Sequence, residues 1–403
     1  MTKFHTMQAI LTLAAATTPI GWCEHLAGNS PFKEHVVDEN FQNGYQVCVT
    51  DINADGLPDI AALSTTPSQL VWFKNPKWEK FTISTKAERN IDLAPYDIDR
   101  DGDMDLALAT GFDLGNSNEG GQVFWAECPD APETDQEWAL HPIDTVPTSH
   151  RVRWADVNGD GRKELINLPI IGIGAAAPQY EGGVQFKAYT LPEDPIAGKW
   201  EPQIIDNTLE MAHGLFVVPS VNMGNNALIT ASFGGIHMYV RTTLKKEFIK
   251  SLIGEGDRNP RPKQGSSEAA LGRLKKPDSF CVAAIEPWHG NQVVVYTPTR
   301  DGTAPWPRTV IDDTLSDGHA LACADFNGDG NDEIIAGCRG EPKSIFIYDH
   351  NAESQVWARS VLNDAGIACA GLFIADMNDD SRADIVAIGT STNNVVWYEN
   401  LAP

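Results

Sequence analysis

Positive charge is scarce in this 403-residue chain: 30 Lys and Arg stand against 55 Asp and Glu, a formal charge of −25. That argues against nucleic acid or an anionic membrane surface as partner, since either demands a basic patch. Long apolar runs are missing too. Beyond residues 1–23 nothing approaches the roughly 18–20 apolar residues that a membrane span needs, so no membrane span is expected. Cysteines are seven, an odd number, with no CxxC pair, which speaks against a disulfide framework or a thiolate metal site. Cys48, Cys281, Cys323 and Cys369 fall in or beside apolar strands, where a thiol acts as a small hydrophobe. Long helical patterns are absent, whereas 34 Gly and 25 Pro suit many short strands and turns.

The N-terminus carries Lys3, then the apolar run MQAILTLAAA, then TTPIGWC. This is the order of a secretory signal, though without a clean small-x-small cleavage site. It predicts a secreted or periplasmic protein; the alternative is an N-terminal extension on a cytoplasmic one.

What is present is a repeat. Five segments run from an apolar strand into an Asp-x-Asp/Asn-x-Asp loop and on into a second apolar strand: Asp51, Asn53, Asp55 and Asp59; Asp97, Asp99, Asp101 and Asp105; Asp156, Asn158, Asp160 and Glu164; Asp325, Asn327, Asp329 and Glu333; Asp376, Asn378, Asp380 and Asp384. Their first Asp residues are separated by 46, 59, 169 and 51 positions. The long interval hides two degenerate repeats, which place Pro219 and Gly272 where the first Asp belongs. Starting points at 51, 97, 156, 219, 272, 325 and 376 define seven units of the length of a four-stranded blade. Aromatic third strands (LVWFKNP, GQVFWAE, VVWYENL) follow in each unit, and outer strands (WEKFTIS, EWALHPID) in the first six. The seventh outer strand is missing from the C-terminus, and FKEHVVD at residues 32–38 has the composition to supply it. The expected fold is therefore all-β, a single seven-bladed β-propeller over residues 24–403, its ring closed by an N-terminal strand so that no edge is left open.

Oxygen ligands at alternating positions, with Gly56, Gly102, Gly161 and Gly330 at the bend and Ser381 in the fifth loop, make each carboxylate loop a candidate Ca²⁺ or Mg²⁺ site. The alternative is a turn capped by its own side chains with no ion. Either way the loops stiffen blades and do no chemistry.

Histidine carries the sharper signal. Counting six residues back from the first-Asp place reaches His150, His213 and His319 in the third, fourth and sixth repeats. Equal offset means equal place, so these three stand at one height near the axis, with Tyr45, Ile91, Ser266 and Ala370 at that height in the other blades. Three imidazoles and an open fourth position are what a catalytic zinc requires; the plainer alternative is three histidines lining a wet channel. The turn between strands two and three returns to the same face, and in the fifth blade it reads Glu286-Pro287-Trp288-His289-Gly290. His289 is thus a candidate base or fourth ligand, Glu286 its carboxylate neighbour, and Trp288 an apolar plate for a sugar ring. Tyr45 is a further candidate substrate contact and Arg151 a candidate to bind a hydroxyl or carry charge near a leaving group.

The repeats look like the FG-GAP type. The segments SHRVRWADVNGDG, MAHGLFVV, IEPWHGNQVVVY and GHALACADFNGDGNDE, in that order, resemble the propeller domain of the fungal aldos-2-ulose dehydratase (pyranosone dehydratase) family, from about the second blade onward. The resemblance implies a zinc-dependent carbon–oxygen lyase that eliminates water from a 2-keto sugar such as 1,5-anhydrofructose or an aldos-2-ulose, with zinc as Lewis acid. The family continues into two cupin folds with a second zinc and a lectin-like domain, where this chain ends. Dehydration alone is therefore expected, without the isomerisation attributed to the cupin part. A reading of another class is an exported, calcium-stiffened propeller that binds glycans or protein partners without catalysis.

Overall fold

The computed structural model describes residues 31–134, 136–219, 224–242, 247–275, 279–299, 301–351 and 354–402. The leader expected over residues 1–23 lies outside them. Twenty-eight strands form seven four-stranded antiparallel sheets, the seven blades expected. Blade 1 runs Gly44–Thr50, Asp59–Ser64, Gln69–Lys74 and Glu79–Thr82, hydrogen-bonded in that order. The innermost strands of blades 2 to 7 are Asp92–Tyr96, Ser149–Ala155, Gly214–Val218, Glu268–Leu274, Gly318–Ala324 and Cys369–Ala375.

Second strands such as Asp59–Ser64, Asp105–Thr110 and Asp384–Gly389 are buried along their whole length. They are packed on both faces by neighbouring blades, which is why they read as unbroken apolar runs and not as alternating ones. The core accordingly lies between blades: Ala61, Leu63 and Trp72 of blade 1 pack with Leu93, Leu106 and Leu108 of blade 2.

Blade 7 contributes Cys369–Ala375, Asp384–Gly389 and Val395–Asn400, and its fourth strand is Phe32–Asp38. The closing register runs from Phe32 opposite Asn400 to Val36 opposite Val396. Phe32 meets Phe326 edge-on at 5.5 Å, His35 stacks on Trp397 at 4.2 Å, and Lys33 and His35 both reach the Glu399 carboxylate. Among the described residues, no helix is long and apolar enough to cross a membrane.

Candidate functional site

Equal offset in the repeat has a concrete structural meaning. Opposite each second strand, the innermost strands of blades 1, 3, 6 and 7 carry one extra residue, and the extra residues are Tyr45, His150, His319 and Ala370. A β-bulge re-aims the side chain it frees. That is how the consecutive residues His150 and Arg151 both reach one cluster. His213 stands one residue before its strand, its N–H donating to Ala231 O at 3.0 Å.

Four imidazoles meet there. His150, His213 and His319 are buried, with at most 1% of their surface exposed. The ring of His213 lies 4.6 Å from His150, 4.8 Å from His289 and 4.9 Å from His319. His213, His289 and His319 each place a ring nitrogen within 4.8 Å of the others; His150 is not in that trio and joins through its ring contact and Tyr45. The turn does bring His289 to the histidine face, and its backbone pays with a left-handed φ of 44°, a conformation sparsely populated outside glycine and often found at functional sites. Lys263 Nζ holds it by donating to the carbonyls of Trp288 at 3.2 Å and His289 at 2.8 Å.

The partners fix where each proton sits. His213 Nδ1 lies 2.9 Å from Glu268 Oε1 and 3.1 Å from Ser267 O, both acceptors, so Nδ1 carries hydrogen and Nε2 offers a lone pair. His319 Nδ1 donates to Ala370 O at 2.5 Å, with the same consequence. His289 Nδ1 faces Arg339 Nη2 at 3.0 Å. A guanidinium only donates, so this Nδ1 accepts and the hydrogen sits on Nε2, which donates to His213 Nε2 at 3.1 Å. The Tyr45 hydroxyl donates to His319 Nε2 at 3.3 Å and accepts from His150 Nε2 at 3.2 Å. His150 Nδ1 is then a buried lone pair with no partner among the described residues.

Two of these lone pairs, on His213 Nε2 and His319 Nε2, fit a metal: their outer N–H groups are held by a carboxylate and a carbonyl, the pattern that orients imidazole ligands. The nitrogens of His150 lie outside the close trio of His213, His289 and His319, so His150 would have to shift to share an ion with them. His289 fits less well, because its inward nitrogen carries hydrogen.

Other expected residues fall differently. Glu286 is fully buried and its carboxylate is consumed by Ser266 Oγ at 2.8 Å, Tyr296 OH at 2.7 Å and Arg308 Nε at 2.8 Å. It is not the neighbour of His289, because the side chain turns outward along its blade, away from the turn it begins. The carboxylate at the cluster is Glu268, two residues beyond the in-register Ser266. Burial pushes Glu268 up, but Arg151 and His213 outweigh it and hold the carboxyl below its usual range. Arg151 donates to Glu268 Oε1 at 2.9 Å and lies 5.9 Å over the Tyr45 ring. Trp288 stacks on His289 at 4.5 Å and meets Tyr180 and Phe233 edge-on, so one face of the expected sugar plate is occupied by the imidazole. Arg339 and Asp317 had no signal in the repeat.

Burial is the largest cause holding all four imidazoles below their ordinary range; cationic neighbours add to it, and for His213 Glu268 opposes it. A histidine depressed in the fold takes up protons more readily when unfolded, so its stabilisation is present above about pH 6.5 and lost as pH falls below that. With metal chelated, His150→Gln should flatten the decline of stability from pH 7 to 5 by a slope that grows, as pH falls, toward about 1.4 kcal/mol per pH unit, the limit for one proton. Asp105, pushed up to about 7 by burial, contributes a slope of opposite sign equally to both proteins. Urea melts across that range measure the difference; identical slopes would mean that His150 is protonated in the fold.

At the opposite end of the blades the carboxylate loops cap themselves. Asp51 accepts from Gly56 N–H, Asp156 from Gly161 N–H and Asp325 from Gly330 N–H, each at 2.9 Å. Asp376 does the same for Ser381 at 2.7 Å. The last carboxylate of each loop binds the N–H of Ile52, Ile98, Val157, Phe326 or Met377. Oxygens grouped closely enough for a cation occur on Asp97, Asp99 and Asp105, and on Asp325, Asp329 and Glu333.

Fold and cluster define a seven-bladed β-propeller with a four-histidine centre, three of its imidazoles buried and His289 partly so. Residues 120–299 match the family model described as the aldos-2-ulose dehydratase β-propeller domain, and residues 51–108 match an FG-GAP-like repeat. The curated aldos-2-ulose dehydratase of Phanerodontia chrysosporium is 25% identical over 321 residues, covering 74% of this chain and 34% of that protein. The chain thus spans about a third of the length of the curated relative it matches. Two solved structures of BBS1N in complex with ARL6DN, soaked with lead and with mercury, align with TM-scores of 0.53 and 0.56 at 14% and 11% identity. They cover 90% and 92% of this chain and 94% and 97% of theirs, a likeness of fold alone.

Proposed function

We propose that this chain is a metal-dependent carbon–oxygen lyase that removes water from a 2-keto sugar of the 1,5-anhydrofructose or aldos-2-ulose type. The observation that carries the reading is the four-imidazole cluster, in which His213, His289 and His319 place ring nitrogens within 4.8 Å of one another and His150 keeps a buried Nδ1 with no partner among the described residues. In a channel-lining role such a lone pair is a cost; in a metal site it is the ligand. The likeness to a dehydratase propeller supports the reaction class.

His150, His213 and His319 would hold Zn²⁺, which supplies Lewis acidity toward a ketone oxygen. Glu268 and Arg151 hold His213 from behind, and Tyr45 spaces His150 from His319. His289 is the proton-transfer residue. Its inward Nε2–H would hydrogen-bond the departing hydroxyl; overall, the proton lost from carbon leaves with that hydroxyl as water, and a C=C conjugated with the carbonyl is formed. The conjugated product is the readout: zinc-loaded protein mixed with 1,5-anhydrofructose or glucosone should generate ultraviolet absorbance, and metal analysis should find about one zinc per chain at this site. Zinc-loaded protein that produces no absorbance with any keto sugar would remove the lyase reading and leave a binding propeller.

The loops at residues 97–105 and 325–333 are the proposed Ca²⁺ or Mg²⁺ sites. Adding Ca²⁺ to metal-free protein should raise its Tm by mass action; an unchanged Tm would mean that the turns suffice by self-capping.

A further inference from the structure

Arg339 and Asp317 belong to blade 6, between its second and third strands and before its first, and neither stands at a repeat-defined site. Arg339 donates through Nε to Asp317 Oδ2 at 3.0 Å and through Nη2 to Asp317 Oδ1 at 2.9 Å. The same Nη2 lies 3.0 Å from His289 Nδ1, while the Asp317 carboxylate lies 3.5 Å from that nitrogen. Two groups of opposite hydrogen-bonding sense thus compete for His289 Nδ1, and the guanidinium holds the nearer place. Backbone bonds brace the arrangement: Arg339 N–H donates to Asp317 O and Gly340 N–H to Ser316 O, each at 3.0 Å.

We infer that Arg339 is a positioning residue that sets the tautomer of His289, keeping hydrogen on its inward Nε2 and thereby keeping this fourth histidine out of the metal's coordination. The inference rests on the metal-lyase reading for its purpose but on the geometry alone for the tautomer. With Nδ1 occupied as an acceptor, a neutral imidazole has no second lone pair to turn inward. The site then keeps three imidazole ligands and an open position, which a catalytic metal needs, instead of closing into a four-ligand structural site. Remove the guanidinium, and the Asp317 carboxylate, 3.5 Å away, is the partner left for Nδ1 among the described residues. The hydrogen moves to Nδ1, the inward Nε2 becomes a lone pair, and His289 turns into a carboxylate-supported ligand of the kind that raises metal affinity.

This predicts an unusual pairing of effects. Arg339→Met should bind Zn²⁺ about 10- to 100-fold more tightly than wild type, the range associated with the outer partners of histidine ligands, while losing most turnover. Long-range ¹H–¹⁵N spectra of the metal-free proteins should show the His289 hydrogen on Nε2 in wild type and on Nδ1 in the variant. Arg339→Lys, which still donates, should keep the wild-type tautomer and affinity. Combining Arg339→Met with Asp317→Asn should cancel the affinity gain, because the supporting carboxylate is gone. Wild-type protein already carrying hydrogen on Nδ1, or Arg339→Met retaining the wild-type tautomer, overturns the inference. A folded Arg339→Met that binds Zn²⁺ no more tightly also overturns it. Failure of wild type to bind Zn²⁺ at all would instead defeat the lyase reading, and the spectra of metal-free protein would still decide the tautomer.

Discussion

Alanine at His213 is expected to remove both bound zinc and turnover, whereas alanine at His289 should leave zinc in place and lower turnover by about 10² to 10⁴-fold, the range for a lost acid–base group. The contrast follows from the protons. His213 turns a lone pair toward the cluster and has its outer N–H tied to Glu268 at 2.9 Å; His289 turns a hydrogen inward and its lone pair toward Arg339. Zinc content by elemental analysis and turnover by ultraviolet absorbance separate the two roles in the same preparations. Zinc retained in full by alanine variants of His150, His213 and His319 alike would reduce the histidines to channel lining. Zinc lost from the His289 variant would make that residue a ligand.

Deletion of residues 1–38 should destabilise the whole ring. Phe32–Asp38 is the outer strand of blade 7, with six residues in register against Val395–Asn400. Losing about six ladder bonds at roughly 1 kcal/mol each approaches the entire stability of an ordinary domain, about 5–15 kcal/mol. The exposed edge of Val395–Asn400 would also be open to pairing with other chains. The truncated protein should therefore melt far below the full chain and aggregate, while a shorter deletion of residues 1–30 isolates the contribution of the closing strand. A truncated protein with an unchanged melting curve would mean that closure does not hold the ring together.

The two predictions draw on differently legible parts of the molecule. Blade number, the two degenerate repeats around Pro219 and Gly272, and the closing strand were all readable, because a strand pattern and a turn pattern recur at a nearly fixed period. The common height of Tyr45, His150, His213 and His319 was readable for the same reason. Even the return of His289 to that face followed from strands alternating in direction. Glu286 shows where this kind of reading stops. Its place in the chain beside His289 was right, but its side chain is claimed by Tyr296 and Arg308 of its own blade, and sequence distance says nothing about which way a carboxylate turns.

What the sequence determined by itself, then, is position along the repeat, since equal spacing from a loop becomes equal height in a closed ring. What only the tertiary structure decided is the chemical state of each imidazole. That state depends on single donors and acceptors brought from other blades: Glu268 behind His213, the Ala370 carbonyl behind His319, and Arg339 behind His289. The bulges at Tyr45, His150 and His319 were likewise beyond the pattern, because an extra residue in one strand is defined only by the partner it fails to pair with. Hydrogen bonds between blades have no period in the sequence, and they determine which nitrogen holds a proton and which holds a lone pair.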